Sequence, residues 1–284
     1  MKKTAKLILF TIVVIGLLSI PGYLFAIPNE ITSPQENEIV CGTLDLAATY
    51  DDENDDKDSV QWAVRFNTSA QNTNTRIGNV DGYNDAFSWD GESFSASFDV
   101  SGLAGGKYYF VFNPREDAGA QDIRLVRGFY IVDKCVYGGG HILQENGDKR
   151  KDWYDISFGG LVGSASSEGY MGEWQIVFHN VRDDSLDKAK FHSTNITVMN
   201  FFAPTVSCNG AVNFTIEGTL NGESGYKVIF RAGDEPDTVR IELYQGSSKI
   251  FDSSDTAGGD FTSSSNCWGT ARTTLDNGNI TIVQ

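Results

Sequence analysis

The sequence predicts an all-β protein, in which an N-terminal signal or anchor segment precedes two antiparallel β-sandwich domains in tandem. Apolar and polar residues alternate with a period of two along several runs, as they do in half-buried strands. Clusters of Gly, Asn and Asp separate these runs. In residues 39–133 no ten-residue stretch keeps the 3.6-residue period of a helix. The chain has 284 residues, enough for two buried cores.

The N-terminal 26 residues have the pattern of a targeting segment. Three lysines precede the uncharged apolar run Leu7–Ile20, which Pro21 and Gly22 interrupt before the small residue Ala26. This order is typical of a signal peptide that is cleaved after Ala26. The alternative is an uncleaved membrane anchor, because a span needs about 20 apolar residues. In either case we expect the rest of the chain to be extracellular or on the cell surface, with any membrane contact made through this segment.

The net charge limits the kinds of partner. There are 22 Lys and Arg against 38 Asp and Glu, so the formal net charge is −16. A nucleic-acid partner would require a basic face, and we expect none. The acidity is explained either by solubility or by divalent cations or high salt outside the cell.

The first predicted domain covers residues 35–135. About seven short strands in about 100 residues are typical of a β-sandwich. The alternating runs are Val40–Ala48, Val60–Phe66, Phe94–Val100, Tyr108–Phe112 and Ile123–Ile131.

Two motifs stand out in these runs, VQWAVR with Trp62 and GGKYYF with Tyr108. They resemble the buried tryptophan of strand C and the start of strand F in an immunoglobulin-like domain, and the resemblance covers residues 35–133. Tyr108 would then occupy the tyrosine corner. The core position two residues later is Phe110 rather than cysteine, with Leu46 opposite, so the usual disulfide between the sheets is missing.

Four cysteines allow three disulfide pairings. We favour Cys41 with Cys135 and Cys208 with Cys267, because each pair then lies within one predicted domain. The extracellular setting agrees with this interpretation. A cysteine metal site would require closer spacing.

The second predicted domain covers residues 138–284. We expect Gly138, Gly139 and Gly140 to form a hinge between the domains, since three glycines suit a sharp turn or a close approach of two backbones. The strand-like runs after them are His141–Leu143, Ile156–Gly160, Trp174–His179, Lys190–Val198, Ala211–Gly218, Tyr226–Ala232, Asp237–Tyr244 and Asn279–Val283.

The order of motifs in this part resembles a domain that recurs in prokaryotic cell-surface and secreted proteins. The motifs are GGGHI, SFGG, GEWQIVFH, FHSTNI, GYKVIFRAGDEPDTVRIELY and GNITI. The resemblance implies a β fold, an extracellular setting and no established catalytic activity.

The densest group of acidic residues is a candidate calcium site. Closely spaced carboxylates can supply the six to eight oxygens that Ca²⁺ prefers, although this spacing is not that of an EF-hand. The candidate ligands are Asp52, Asn54, Asp56 and Asp58. A second acidic group could face the same end of the sandwich, and it comprises Asn79, Asp81, Asn84, Asp85 and Asp90. The alternative is a solvated turn, so Ca²⁺ is a candidate ligand and no cofactor is required.

Histidines and further acidic residues are candidates for metal binding or catalysis. Three histidines could bind zinc or act as structural hydrogen-bonding groups: His141, His179 and His192. The acidic residues at 183–184 and 235–237 fall on predicted turns, and no GxSxG, HExxH or phosphate-loop motif is present. We therefore expect the protein not to be an enzyme.

Aromatic residues near predicted loops could stack on sugars, because half-exposed rings lose little there. They are Tyr83, Trp89, Tyr137, Trp153, Tyr154 and Trp268. The sequence thus predicts a non-catalytic extracellular or cell-surface protein that serves in adhesion, binding or the cell envelope, with a glycan or a cell-surface protein as partner. The alternatives are a spacer without a ligand and a secreted hydrolase that acts on polysaccharide.

Overall fold

The computed structural model describes residues 29–50, 60–66, 87–114, 125–144, 154–180, 185–204, 209–234, 237–253, 273–275 and 277–284. Strands make up most of these residues, and their pairing is antiparallel with one short exception, which confirms the all-β class. This described part of the chain contains no helix, and so none that is long and apolar enough to cross a membrane.

Among the described residues, eight strands precede residue 132. They are β1 (Glu30–Ser33), β2 (Ile39–Val40), β3 (Thr43–Thr49), β4 (Val60–Phe66), β5 (Ser88–Trp89), β6 (Ser93–Asp99), β7 (Gly106–Pro114) and β8 (Leu125–Ile131). They form two four-stranded sheets, which we call the N-terminal sheets, in the orders β1-β3-β6-β5 and β2-β8-β7-β4. The pairing of β2 with β8 is parallel.

The N-terminal sheets enclose a core that is rich in aromatic rings. Trp62 is 3% exposed, and its ring packs against Phe94 and Phe98 at centroid distances of 5.5 and 5.2 Å. The hydroxyl of Tyr108 donates to the carbonyl of Ala104 at 2.7 Å, which is the contact that a tyrosine corner makes. These positions agree with what the immunoglobulin-like resemblance implies, and the resemblance itself stays a prediction.

Ten strands follow. They are β9 (Lys134–Gln144), β10 (Tyr154–Ala165), β11 (Gly169–Asn180), β12 (Lys190–Phe202), β13 (Gly210–Leu220), β14 (Glu223–Asp234), β15 (Thr238–Gln245), β16 (Ser248–Asp252), β17 (Thr273–Thr274) and β18 (Asn277–Val283). They form one sheet in the order β16-β15-β14-β13-β12-β11-β10-β9-β18, with β17 paired to β15. Its buried face centres on Trp174, whose ring packs against Phe214 and Phe230. Because β18 also lies against β13 and β14, the sheet curls around this core.

The glycine run does not form the predicted hinge. Gly138, Gly139 and Gly140 lie in the middle of β9, which pairs with β10 on one side and β18 on the other. Gly138 has φ +128°, and a Cβ there would overlap the carbonyl oxygen of Asn279. The run therefore permits a close approach of backbones, the other role that three glycines suit. The chain passes from β8 to β9 through Val132 and Asp133 alone.

The disulfide between Cys41 and Cys135 is confirmed, with their Cα atoms 6.4 Å apart. Cys135 is fully buried in a small apolar cluster between the N-terminal sheets and the ten-stranded sheet. The other members of the cluster are Val132, Ala165, Ile39, Cys41, Met171 and Val283. Cys208 and Cys267 lie outside the described residues.

Asp133 makes the second connection across this junction. Its carboxylate accepts hydrogen bonds from the backbone N–H of Gly105 and from the N–H and hydroxyl of Ser166. Burial acts to raise the pKa of Asp133, but the hydrogen bonds from Ser166 and Gly105, together with the Lys134 charge, outweigh it and lower the pKa. The carboxylate therefore stays charged and holds the turn before β7 against the turn between β10 and β11.

Candidate binding groove

The outer face of β9 and β10 contains a gap without side chains, which Gln175 borders on β11. Residues of even number such as Ile142, Ile156 and Ile176 point into the core, so those of odd number point outwards. On the outer face Gly139 pairs directly with Gly159. We call these two glycines the floor, because a molecule lying on them would meet backbone alone.

Side chains stand on both sides of the floor. On one side Tyr137 pairs with Leu161 and Leu161 pairs with Glu173, and we call these three residues the aromatic wall. On the other side His141 pairs with Ser157 and Ser157 pairs with Val177, and these three residues are the histidine wall. The two walls are four residues apart along each strand, so their Cα atoms are about 13 Å apart at about 3.3 Å per residue. The walls and the floor together form a groove.

A cavity of about 340 Å³ lies over the β10–β11 side of the groove, at Leu161 and Glu173 of the aromatic wall, and Tyr137 adjoins it across Leu161. The ten-stranded sheet contributes Gly159, Gly160, Leu161, Gly172, Glu173 and Gln175 to its lining. Asn37 and Ile39 of the N-terminal part line it as well, so they overhang the floor. The N–H of Asn37 donates to the carbonyl of Gly128 at 2.8 Å, and the disulfide two residues after Ile39 fixes this segment to β9.

The histidine wall carries two polar pairs. Nε2 of His141 lies 2.6 Å from Oδ1 of Asp155, and their side chains are 34% and 31% exposed. Oγ of Ser157 lies 2.8 Å from Nε2 of His179. Each histidine is thus held by a neighbouring strand and remains accessible to solvent. Within the described ranges, no three His, Cys, Asp or Glu side chains come together as a metal site.

Several predicted site residues lie elsewhere. The calcium candidates Asp52, Asn54, Asp56 and Asp58 are outside the described residues, as are Asn79, Asp81, Asn84 and Asp85. Asp90 is described, and its Oδ1 accepts hydrogen bonds from the N–H groups of Glu92 and Ser93 at 3.1 and 2.7 Å. These bonds lower the pKa of Asp90, so its carboxylate serves the turn between β5 and β6.

The aromatic residues that were predicted to stack on sugars lie in different parts of the molecule. Tyr137 is 37% exposed in the groove, whereas Trp89 is partly buried, with its ring 6.2 Å from that of Phe112. Tyr154 begins β10. Tyr83, Trp153 and Trp268 are outside the described residues. His192 is exposed on β12, where it pairs with Gln175.

The sequence did not predict that Asn37, Glu173 and Gln175 would meet in one place. Glu173 and Gln175 flank the buried Trp174, so the alternation of GEWQIVFH marked them only as outward-facing. Asn37 is 122 residues before Gly159, and only the packing of the N-terminal sheets on the ten-stranded sheet brings the two together.

A buried ionic network lies on β14–β16, away from the groove. Arg240 binds both oxygens of Asp252, at 3.0 and 2.6 Å, and also approaches Glu242 at 3.0 Å. Arg231 binds Glu242 at 2.7 Å, and Lys249 binds Asp252 at 2.6 Å. Three cations thus share the two carboxylates of Glu242 and Asp252, and the network contributes to the structure of the sheet.

Scans of protein-family models and searches of curated proteins and solved structures find no match for this chain.

Proposed function

We propose that this is a non-catalytic extracellular or cell-surface protein, built from two β-sandwich domains in tandem, which binds a partner in the groove. The groove carries this proposal. It is concave, it lies where two parts of the chain meet, and a few polar side chains converge on it, as is typical of ligand sites.

The extracellular setting has two supports. The N-terminal 26 residues have the pattern of a targeting segment. The Cys41–Cys135 disulfide is of the kind that persists in oxidising compartments. The same bridge holds the overhang of the groove in place, so the binding site depends on export.

Fractionation of cells that express the full chain tests this proposal. We expect the protein on the cell surface or in the medium, with Cys41 and Cys135 resistant to alkylation before reduction. We also expect isolated cell envelope or a glycan to retain it. Recovery from the cytoplasm with reactive Cys41 and Cys135 would overturn the extracellular assignment. Failure of the protein to bind any surface component would favour the alternative of a structural spacer that has no ligand.

The secreted hydrolase is a second candidate, because one observation favours it. The distance of 2.8 Å between Ser157 Oγ and His179 Nε2 is that of a nucleophile and its base. Such a pair would cleave an ester substituent of a polysaccharide, since glycosidic cleavage uses two carboxylates. Release of acetate from an acetylated polysaccharide, lost in Ser157→Ala and retained in Ser193→Ala, would establish the hydrolase. We expect no release from the wild type.

A further inference from the structure

The floor of the groove has no free backbone edge. Gly139 pairs with Gly159 and Asn279, and Gly159 pairs with Gly139 and Gln175, so a peptide cannot add to β9 or β10 there as a further strand. A ligand in the groove is therefore recognised by side chains above a flat backbone surface. The flat surface is wide because neither Gly139 nor Gly159 carries a side chain.

The charge of the groove disfavours an acidic ligand. Glu173 is exposed beside the cavity, Asp155 is partly exposed behind the histidine wall, and the whole chain carries −16. A carboxylate or sulfate on the ligand would be repelled by these groups. Neutral polar groups meet no such penalty.

The polar side chains suit hydroxyl groups. The Glu173 carboxylate accepts hydrogen bonds, whereas the amides of Asn37 and Gln175 both donate and accept. All three line one cavity. A hydroxyl group also donates and accepts, so neighbouring hydroxyls on one ring can satisfy a carboxylate and two amides together.

The aromatic wall suits the apolar face of a sugar ring. Tyr137 is 37% exposed although it is an aromatic residue in the middle of a sheet, and Leu161 stands beside it. An exposed tyrosine presents a flat apolar surface and loses little entropy when it is covered. The cavity volume of about 340 Å³ lies at the small end of ligand pockets. It corresponds to a short segment of a glycan.

We infer that the groove binds a neutral glycan, with one sugar ring on Gly159 and its hydroxyls on Asn37, Glu173 and Gln175, and with the neighbouring ring over Gly139, its apolar face against Tyr137. This inference rests on the proposed binding function and names the class of its ligand.

Calorimetric titration of the full mature protein tests the inference. The neutral probes are cellotetraose, mannotetraose and chitotetraose, and tetragalacturonic acid is the acidic comparator. We expect at least one neutral probe to bind and the acidic probe not to bind. Tyr137→Ala and Gln175→Leu should each weaken binding at least tenfold.

Tyr170→Ala is the matched control, because Tyr170 is 43% exposed on β11 at a position that faces away from the groove. It should bind as the wild type does. Gly159→Ala adds a methyl group to the floor at 3.2 Å from the Gly138 carbonyl oxygen, a tight contact that a small shift relieves. It should weaken binding about fivefold while the thermal unfolding midpoint stays close to that of the wild type.

The outcomes separate the two proposals. If no neutral probe binds but isolated cell envelope still retains the protein, the glycan inference fails and the proposed binding function stands. If a glycan binds but Tyr137→Ala, Gln175→Leu and Gly159→Ala leave the affinity unchanged, the groove is not its site and the inference also fails. If neither a glycan nor any envelope component is retained, both proposals fail.

Discussion

The hydroxyl of Ser166 donates a hydrogen bond of 2.6 Å to the carboxylate of Asp133, and thereby joins the turn between β10 and β11 to the two-residue connection between β8 and β9. The N–H of Ser166 donates to the same oxygen at 2.7 Å. The N–H of Asp133 in turn donates to the carbonyl of Ser164 at 2.8 Å. The point at which the chain enters the ten-stranded sheet is thus fixed from both directions.

Asp133→Asn should destabilise the protein at neutral pH. Because the folded state lowers the pKa of Asp133 below 3.8, its carboxylate stabilises the fold above that pH, and this contribution is lost as the pH falls through the folded-state pKa. We expect a loss of about 1–3 kcal/mol at pH 7 and a smaller one near pH 2.5. Urea unfolding at both pH values measures this, and equal losses at the two would contradict it.

Removing the confirmed disulfide should lower the free energy of unfolding by about 4–5 kcal/mol, because the bridge closes a loop of 94 residues in the unfolded chain. The double variant C41S/C135S, which keeps Cys208 and Cys267, isolates this bridge. Urea unfolding of the oxidised proteins gives the difference. A double variant as stable as the wild type would show that the bridge does not constrain the unfolded state.

Three glycine-to-alanine variants should separate backbone strain from steric overlap. Gly102→Ala meets nothing within 4 Å and should leave stability unchanged. Gly222→Ala also has open space but has φ +87°, so it should cost about 1 kcal/mol. Gly138→Ala combines φ +128° with overlap on the Asn279 carbonyl and should cost about 2–4 kcal/mol. Thermal unfolding ranks them, and a Gly138→Ala variant as stable as Gly222→Ala would rule out the overlap.

Breaking the buried ionic network should lower the free energy of unfolding substantially. The Asp252 side chain is fully buried and holds both Arg240 and Lys249, so Asp252→Asn should cost about 3–5 kcal/mol by leaving Arg240 poorly compensated. Lys249→Met is the control, since the lysine is 37% exposed and should contribute less than about 1 kcal/mol. Chemical unfolding compares the two variants. Equal losses of unfolding free energy in the two variants would contradict the expectation that the buried Asp252 carboxylate contributes more than the partly exposed Lys249.

The sequence predicted much of the strand content because local alternation decides it. The expected strand Phe94–Val100 is β6 shifted by one residue, and the expected strand Tyr226–Ala232 lies inside β14. The Cys41–Cys135 pairing was also correct. Each of these depends on residues that are close in sequence or on a simple choice between pairings.

What the sequence missed depends on long-range pairing. Three glycines have the same composition in a hinge and in a crowded strand, and only the presence of β10 and β18 on either side of Gly138 distinguishes them. Tyr137 was a predicted aromatic candidate. Glu173 and Asn37 were not, because register and packing bring them to the groove rather than any local motif.

The Cys41–Cys135 bridge also determines how the chain carries mechanical load. A pull applied on either side of the two cysteines passes through the covalent bridge and bypasses the 94-residue loop between them. At about 3.5 Å per residue, roughly 330 Å of chain length is then unavailable for extension. Strands β3 to β8, which lie between the two cysteines, would not extend under shear that unravels an unbridged domain, and single-molecule extension before and after reduction would show the hidden length directly.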